Sequence, residues 1–158
     1  MKLRHFFEQS AFERISAKRL AAPIIATWLG AMSTLAIAAE LDVTVGPVQE
    51  AEGEIMLAVY NNAESFSHTA FKARKATAAT GDVSFSFKNL PAGEYAIMVF
   101  HDVNGNGELD TNLFGMPSEP WGGSLQGKQL FGPPQWEDAR FELSDSGLSL
   151  TVKLHAGN

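Results

Sequence analysis

The chain contains no cysteine, and this absence constrains both its stability and its targeting. Disulfide bonds and a lipid-modified N-terminal cysteine are excluded, so a hydrophobic core must stabilise the fold unless a metal ion helps. Several catalytic signatures are also missing: a nucleophile elbow, a phosphate-binding glycine loop, a dinucleotide fingerprint and paired catalytic carboxylates. Helical periodicity over ten or more residues is absent after the first forty residues, which argues against a helical fold.

The first forty residues have the pattern of a secretory signal peptide. A basic segment, residues 1–19, precedes an apolar run from Leu20 to Ala39, and small alanines flank Ile37 near the end of the run, in Ala36-Ile37-Ala38. This matches the Ala-x-Ala preference of signal peptidase and predicts cleavage after Ala38, with cleavage after Ala39 as a close variant. An uncleaved membrane anchor is the alternative, because the run is about as long as a spanning helix, roughly 20 residues. We therefore expect a signal peptide over residues 1–38 and one domain over residues 39–158, in the periplasm or secreted.

Basic residues are scarce in the predicted mature chain. Without residues 1–38, 7 Lys and Arg remain against 16 Asp and Glu, a formal charge of −9. Such a chain lacks the positive surface that nucleic acids and anionic membranes require, so neither is an expected partner, and cations are favoured instead.

Alternating apolar residues predict a series of short β-strands. Both faces of the segment Tyr95–His101 are apolar, which is typical of a central strand. A further strand is possible within Phe66–Thr77, where the alternation is poor. The predicted fold is a single antiparallel, immunoglobulin-like Greek-key β-sandwich of about seven strands. The segments with clear alternation are 41–45, 55–59, 83–87, 94–101, 141–143 and 148–154.

A long connection from Asp102 to about Asp138 opens with a pattern typical of a calcium loop. Asp102, Asn104 and Asn106 place oxygen-bearing side chains at alternate positions, a glycine follows at the sixth, and Asp110 stands at the ninth. The Glu108 backbone carbonyl adds another oxygen. Ca²⁺ takes six to eight oxygen ligands, and this spacing lets a short loop supply them. The sequence predicts one weak structural Ca²⁺ site here.

The match to the EF-hand template ends at the twelfth place. The template has a bidentate Glu there, whereas this chain has Leu113. A carboxylate from elsewhere would have to complete the site, and Glu119 is the first candidate. A bare turn is the alternative interpretation, because Asn104-Gly105-Asn106-Gly107 is a strong turn former on its own.

His101 raises a second functional hypothesis. A lone histidine at a strand end is usually a packed structural residue. Together with the acidic loop, however, it could belong to a metal-dependent hydrolase. No zinc-type histidine spacing accompanies it. The leading hypothesis is therefore a non-enzymatic binding or structural module of the cell envelope.

Aromatic and proline residues follow the loop within the long connection. They are expected to seal the connection onto the sandwich. Alternatively they form a recognition surface for an envelope protein, a peptide or a glycan. The residues concerned are Trp121, Phe131, Pro133, Pro134 and Trp136.

Several of these segments resemble a bacterial family called domain of unknown function 2141. The resemblance runs from about Leu41 to Leu154 and is most specific in the His-Asp-x-Asn-x-Asn-Gly-x-Leu-Asp-Thr-Asn motif that begins at His101. It implies an exported β-sandwich without an established activity, and the turn at residues 90–95 also resembles that of prealbumin-like sandwiches. The family's usual Gly-Phe-Ser-Asn is Gly-Gly-Ser-Leu here, so Leu125 replaces its asparagine. The other matching segments are 90–97, 115–119, 132–134 and 137–139.

Overall fold

The computed structural model describes residues 39–124 and 134–157. The predicted signal peptide, Phe131 and Pro133 lie outside the described residues. Within them, no helix is both long and apolar enough to span a membrane. The elements are β1 (Ala39–Val48), β2 (Glu54–Tyr60), β3 (Lys72–Thr77), β4 (Gly81–Leu90), β5 (Gly93–Asp102), β6 (Trp121–Gly123), α1 (Trp136–Ala139), β7 (Phe141–Leu143) and β8 (Leu148–Lys153).

The strands form two sheets that pack face to face, which confirms the predicted all-β sandwich. One sheet has the order β4-β1-β8, and the other has the order β3-β2-β5-β6 with β7 also paired to β5. Strand β4 lies beside β1, and β3 lies beside β2 in the opposite sheet. Because β1 and β2 are consecutive, these four strands follow the 4-1-2-3 order of a Greek key folded across the sandwich.

One pairing departs from the predicted antiparallel arrangement. Strands β1 and β8 run parallel, from the pair Leu41 and Leu148 to the pair Gly46 and Lys153. The prediction of antiparallel pairing was wrong for these two strands. These are the first and last strands, so no short turn joins them and nothing local dictates their relative direction. A parallel pair needs a long crossover, and almost the whole domain supplies it.

Strand β5 is central, as its two apolar faces predicted. It pairs with β2, β6 and β7. Tyr95, Ile97 and Val99 point into the core between the sheets, whereas Ala96 points outward into a second, smaller apolar cluster. That cluster also contains Tyr60, Phe66, Trp136 and Ala139. The burial of Trp136 agrees with the expectation that aromatic residues of the long connection seal it onto the sandwich.

The remaining comparisons between the predicted and the observed elements concern the segment 66–77 and the long connection. The possible strand within 66–77 is confirmed as β3, which is shorter than the segment and begins at Lys72. Strand β6 was not predicted, because three residues that include two glycines show no alternation. The pair Glu137 and Asp138 lies in the short helix α1, which alternation did not predict either.

Both tyrosines of the chain are buried, and this predicts alkaline destabilisation. Burial raises the pKa of Tyr60 and of Tyr95 above the ordinary value of 10.0. Above that value the unfolded chain loses phenolic protons that the folded chain retains, so stability falls as the pH rises further. We expect phenolate absorbance to appear near pH 10 in urea and at higher pH in the native protein. If the phenolate absorbance of the native protein rises at the same pH as in urea, both in the wild type and in a Tyr60→Phe control, this prediction is wrong.

Candidate functional site

The candidate loop leaves the sandwich at the end of its central strand. Asp102 is the last residue of β5, and the chain returns at Trp121, the first residue of β6, which pairs with β5. The two ends are joined where the backbone N–H of His101 donates to the carbonyl of Pro120 at 2.8 Å. The whole excursion therefore starts and finishes at one point on the rigid sheet, which positions the loop.

Asp102 organises the first half of the loop. Its side chain is buried, with 1 % exposure, and its two carboxylate oxygens accept hydrogen bonds from the loop backbone. Oδ1 accepts from the N–H of Asn106 at 3.1 Å, and Oδ2 accepts from the N–H of Gly107 at 2.8 Å. Gly107 has a φ of 77°, which favours glycine, so the chain can curl around the carboxylate. Asp102 thus holds the loop in a tight curl.

The predicted amide and carboxylate side chains converge above this curl. Asn104 Nδ2 donates to Asp110 Oδ2 at 2.7 Å, and Asn106 Nδ2 lies 3.1 and 3.2 Å from the two oxygens of the same carboxylate. Asn104 Oδ1 accepts from the backbone N–H of Asn106 at 3.0 Å, and Asn106 Oδ1 accepts from the backbone N–H of Glu108 at 2.7 Å. The structure therefore brings Asp102, Asn104, Asn106 and Asp110 together, as their spacing predicted.

Glu119 contacts the candidate loop, although it lies 16 residues after Val103 in the sequence. Its side chain is buried, and its two oxygens accept from the backbone N–H groups of Val103, at 2.9 Å, and Asp110, at 3.1 Å. Leu113, at the twelfth place of the template, is fully exposed and points away from the fold. Glu119 is thus near the loop as proposed, but it braces the backbone at the loop's second and ninth positions. The sequence carried no signal for this bracing.

The side-chain atoms of the loop that could coordinate a metal ion are all oxygens, which suits a hard cation. They belong to the carboxylates of Asp102 and Asp110 and to the neutral amides of Asn104 and Asn106. The Glu108 backbone carbonyl lies in the same segment of the chain. Among the described residues, no three His, Cys, Asp or Glu side chains form a metal-binding group. Any cation here would therefore depend on amide, carbonyl and water oxygens as well as on the two carboxylates.

His101 has a clear structural role. It is 2 % exposed, and its Nε2 donates to the backbone carbonyl of Glu52 at 2.6 Å, since a carbonyl only accepts. This bond fastens the β1–β2 connection to β5. A cleft of about 650 Å³ lies next to the ring, between the loop and the C-terminal segment, and Glu119 and His155 also line it.

Trp121 and Ser124 anchor the return of the long connection. The backbone of Trp121 pairs with that of His155, and the Ser124 hydroxyl donates to the Ala139 carbonyl at 2.6 Å. The same hydroxyl accepts from the N–H of Ile97 at 2.8 Å. Ser124 therefore joins β5 to the residue that ends α1.

The comparisons with known proteins bear on the family of the chain and not on its activity. No curated protein and no solved structure shows significant similarity to it. A family model does match, over residues 43–151, which include all of β2 to β7 and the entire candidate loop. The chain belongs to this family, which is described as an uncharacterized protein conserved in bacteria (DUF2141).

Proposed function

We propose that this protein is an exported, non-enzymatic β-sandwich that binds one structural Ca²⁺ through residues 102–110. It would serve as a binding or structural module of the cell envelope, with an envelope protein, peptide or glycan as partner. The observation that carries the proposal is the convergence of the Asp102, Asn104, Asn106 and Asp110 side chains on one tight curl.

The hydrogen bonds of the loop support a cation as the natural partner of Asp110. Its carboxylate receives the Nδ2 groups of Asn104 and Asn106, which are neutral donors and leave its negative charge uncompensated. A rotation of these amides would turn their oxygens toward the same point, so that Ca²⁺ would replace the N–H groups as the partner of the carboxylate. The Glu108 carbonyl and water would add ligands. Glu119 would then support the loop rather than bind the ion.

The charge of the loop sets the expected affinity. Two aspartates contribute a formal charge of −2, which is low for a calcium site. Site charge and rigidity tune affinity, so a Kd of about 10⁻⁴–10⁻³ M, as in extracellular modules, is expected. Such a site would be filled where calcium is abundant, which agrees with a location outside the cytoplasm.

A thermal melt in calcium and in chelator tests the proposed site. At about 1 mM Ca²⁺ and a Kd of about 10⁻⁴ M, binding stabilises the fold by about 1.4 kcal/mol. That free energy corresponds to a rise of a few degrees in Tm. Asp102→Ala and Asp110→Ala should remove the calcium-dependent rise. Asp145→Ala, at an exposed turn far from the loop in sequence, should keep it. If the wild type melts at the same temperature in calcium and in chelator, and calorimetry shows no heat of binding up to several millimolar Ca²⁺, the loop is only a turn and the proposed site does not exist.

The N-terminus of the exported protein tests the proposed location. Cleavage after Ala38 removes no residue of the described sandwich, whose first strand begins at Ala39. N-terminal sequencing of protein from the extracytoplasmic fraction should therefore begin at Ala39 or Glu40. Recovery of a chain with intact Met1 from the membrane fraction would establish the anchor instead.

A further inference from the structure

Beyond its proposed role in calcium binding, the candidate loop contains two asparagines that are each followed by glycine. Asn104-Gly105 and Asn106-Gly107 are the only Asn-Gly pairs in the chain. In such a pair the backbone nitrogen of the glycine can attack the side-chain amide carbon of the asparagine, because glycine has no side chain to hinder the approach. This reaction converts the asparagine to an acid without an enzyme, so each pair is a candidate modification site.

The two pairs have closely matched surroundings. Both asparagines are exposed, both amide nitrogens donate to Asp110, and both amide oxygens accept from the backbone N–H two residues further on, at 3.0 and 2.7 Å. Each such turn encloses the peptide bond between asparagine and glycine, which keeps the amide carbon close to the glycine nitrogen. The two glycines have nearly equal φ angles, 72° and 77°, and a Cβ at either would lie in open space. Neither exposure nor local conformation therefore distinguishes the pairs.

One hydrogen bond does distinguish them. The N–H of Gly107 donates to Oδ2 of the buried Asp102 carboxylate at 2.8 Å. The N–H of Gly105 has no hydrogen-bond partner among the residues that the structure describes. Attack requires the glycine nitrogen to lose its proton and to turn its face toward the amide carbon. Gly105 is free to do both, whereas Gly107 would have to give up a charge-assisted bond and develop negative charge beside a carboxylate.

We propose that Asn104 is a site of spontaneous deamidation and that Asp102 protects Asn106 from the same reaction. The Gly105 nitrogen forms a bond to Cγ of Asn104 and the Cγ–Nδ2 bond breaks, so that ammonia leaves with the Gly105 proton and a cyclic succinimide remains. Water then adds to one of the two ring carbonyls and breaks its bond to nitrogen, which gives aspartate or isoaspartate at position 104. The hydrogen bond from the Asn106 N–H to Oδ1 stabilises the negative charge that develops on this oxygen during the attack.

The aspartate product changes the charge of the candidate loop. Residue 104 then faces Asp110 with a carboxylate in place of the amide that donates to it at 2.7 Å. The formal charge of the two aspartates, −2, becomes −3 with the new carboxylate, and a higher site charge strengthens cation binding. The modification should therefore lower the Kd for Ca²⁺ about tenfold, a consequence that rests on the proposed calcium site. Isoaspartate instead adds its Cβ carbon to the loop backbone, which disrupts the curl around Asp102.

A comparison of the two asparagines within one protein tests the deamidation. The purified protein is incubated in mildly alkaline buffer with chelator, so that calcium does not affect the outcome, and peptide mapping by mass spectrometry follows each asparagine. In the native protein Asn104 should convert at least about tenfold faster than Asn106, the effect expected from one hydrogen bond to a charged group. In denaturant the two rates should be nearly equal, because only the folded loop distinguishes the pairs.

Two variants separate the reaction from the protection. Asn104→Gln should stop conversion at position 104, because the longer side chain disfavours ring closure, and should leave Asn106 as slow as in the wild type. Asp102→Ala releases the N–H of Gly107, so Asn106 should then convert at least about tenfold faster than in the wild type. Equal rates at the two asparagines of the native protein would overturn the proposal. A native Asn104 that stays intact while both asparagines convert in denaturant would overturn it too.

Calorimetry with Ca²⁺ tests the consequence for the loop separately. Asn104→Asp has the sequence of the aspartate product and should bind Ca²⁺ about tenfold more tightly than the wild type. Asn112→Asp is the control, since it adds the same charge outside the proposed ligands and should change the Kd far less. An unchanged Kd in Asn104→Asp would refute the consequence alone. If neither protein binds Ca²⁺, the proposed calcium site and this consequence are both wrong, whereas selective deamidation of Asn104 is established by the mass spectra.

Discussion

Replacement of Glu119 by alanine is expected to lower the free energy of unfolding by about 2–4 kcal/mol. The substitution removes a buried carboxylate whose two oxygens accept from the backbone N–H groups of Val103 and Asp110. Both N–H groups then lose a charge-assisted partner at the two ends of the candidate loop. Each unsatisfied group contributes to the loss. Urea denaturation measures the change directly.

The same variant separates a bracing role of Glu119 from a role as a calcium ligand. A brace acts whether or not calcium is present, so Glu119→Ala should be destabilised in chelator as well as in calcium. A residue that only ligates the ion would leave the stability in chelator unchanged. Glu119→Gln should lie between the wild type and the alanine variant, because its amide keeps one acceptor oxygen and turns a donor toward the other N–H. Glu108→Ala is the control, since only the backbone of Glu108 is assigned a role in the loop.

Phe87→Ala is expected to destabilise the protein by about 3–5 kcal/mol, enough to unfold a marginal domain. Phe87 is 1 % exposed in the core between the two sheets, where it is among the largest fully buried side chains. Alanine leaves a cavity that the paired strands around it cannot close. Phe87→Leu should cost less, about 1–2 kcal/mol, because it retains most of the buried volume.

An exposed phenylalanine provides the comparison for Phe87. Phe71 is 41 % exposed, and Phe71→Ala should cost less than about 1 kcal/mol. The midpoint of urea denaturation should fall for Phe87→Ala with an unchanged slope, since the surface exposed on unfolding stays nearly the same. Equal effects at the two positions would mean that the core does not lie where the two sheets meet.

The clustering of oxygen-bearing side chains in the candidate loop could be read from the sequence because it is local. Asp102, Asn104, Asn106 and Asp110 lie within nine successive residues, and the glycine between them permits the tight curl that gathers their side chains. Glu119 was named from the sequence as a missing ligand. Its actual contacts are with backbone N–H groups, and these depend on where the chain returns to β6. A local motif of residue types at fixed spacing does not indicate where the chain returns to the sheet, so it could not predict these contacts.

Alternation determined most of the strands, because a strand buried on one face must alternate and a central strand must be apolar on both. Strand β5 was recognisable as central for this reason. Strand β3 was less clear, since an edge strand exposes most of its side chains and its burial pattern is irregular. Strand β6 was missed because three residues are too few to show a period and its pairing with β5 decides its conformation.

The sequence by itself thus determined the all-β class, the central strand and the oxygen-rich loop, since each depends on neighbours within a few residues. Only the tertiary structure decided the parallel pairing of β1 with β8 and the bracing of the loop by Glu119. The same holds for the exposure of Leu113 and Phe114. These features join segments that are distant along the chain. Their contacts are set by how the two sheets pack, and no local pattern of residues records that packing.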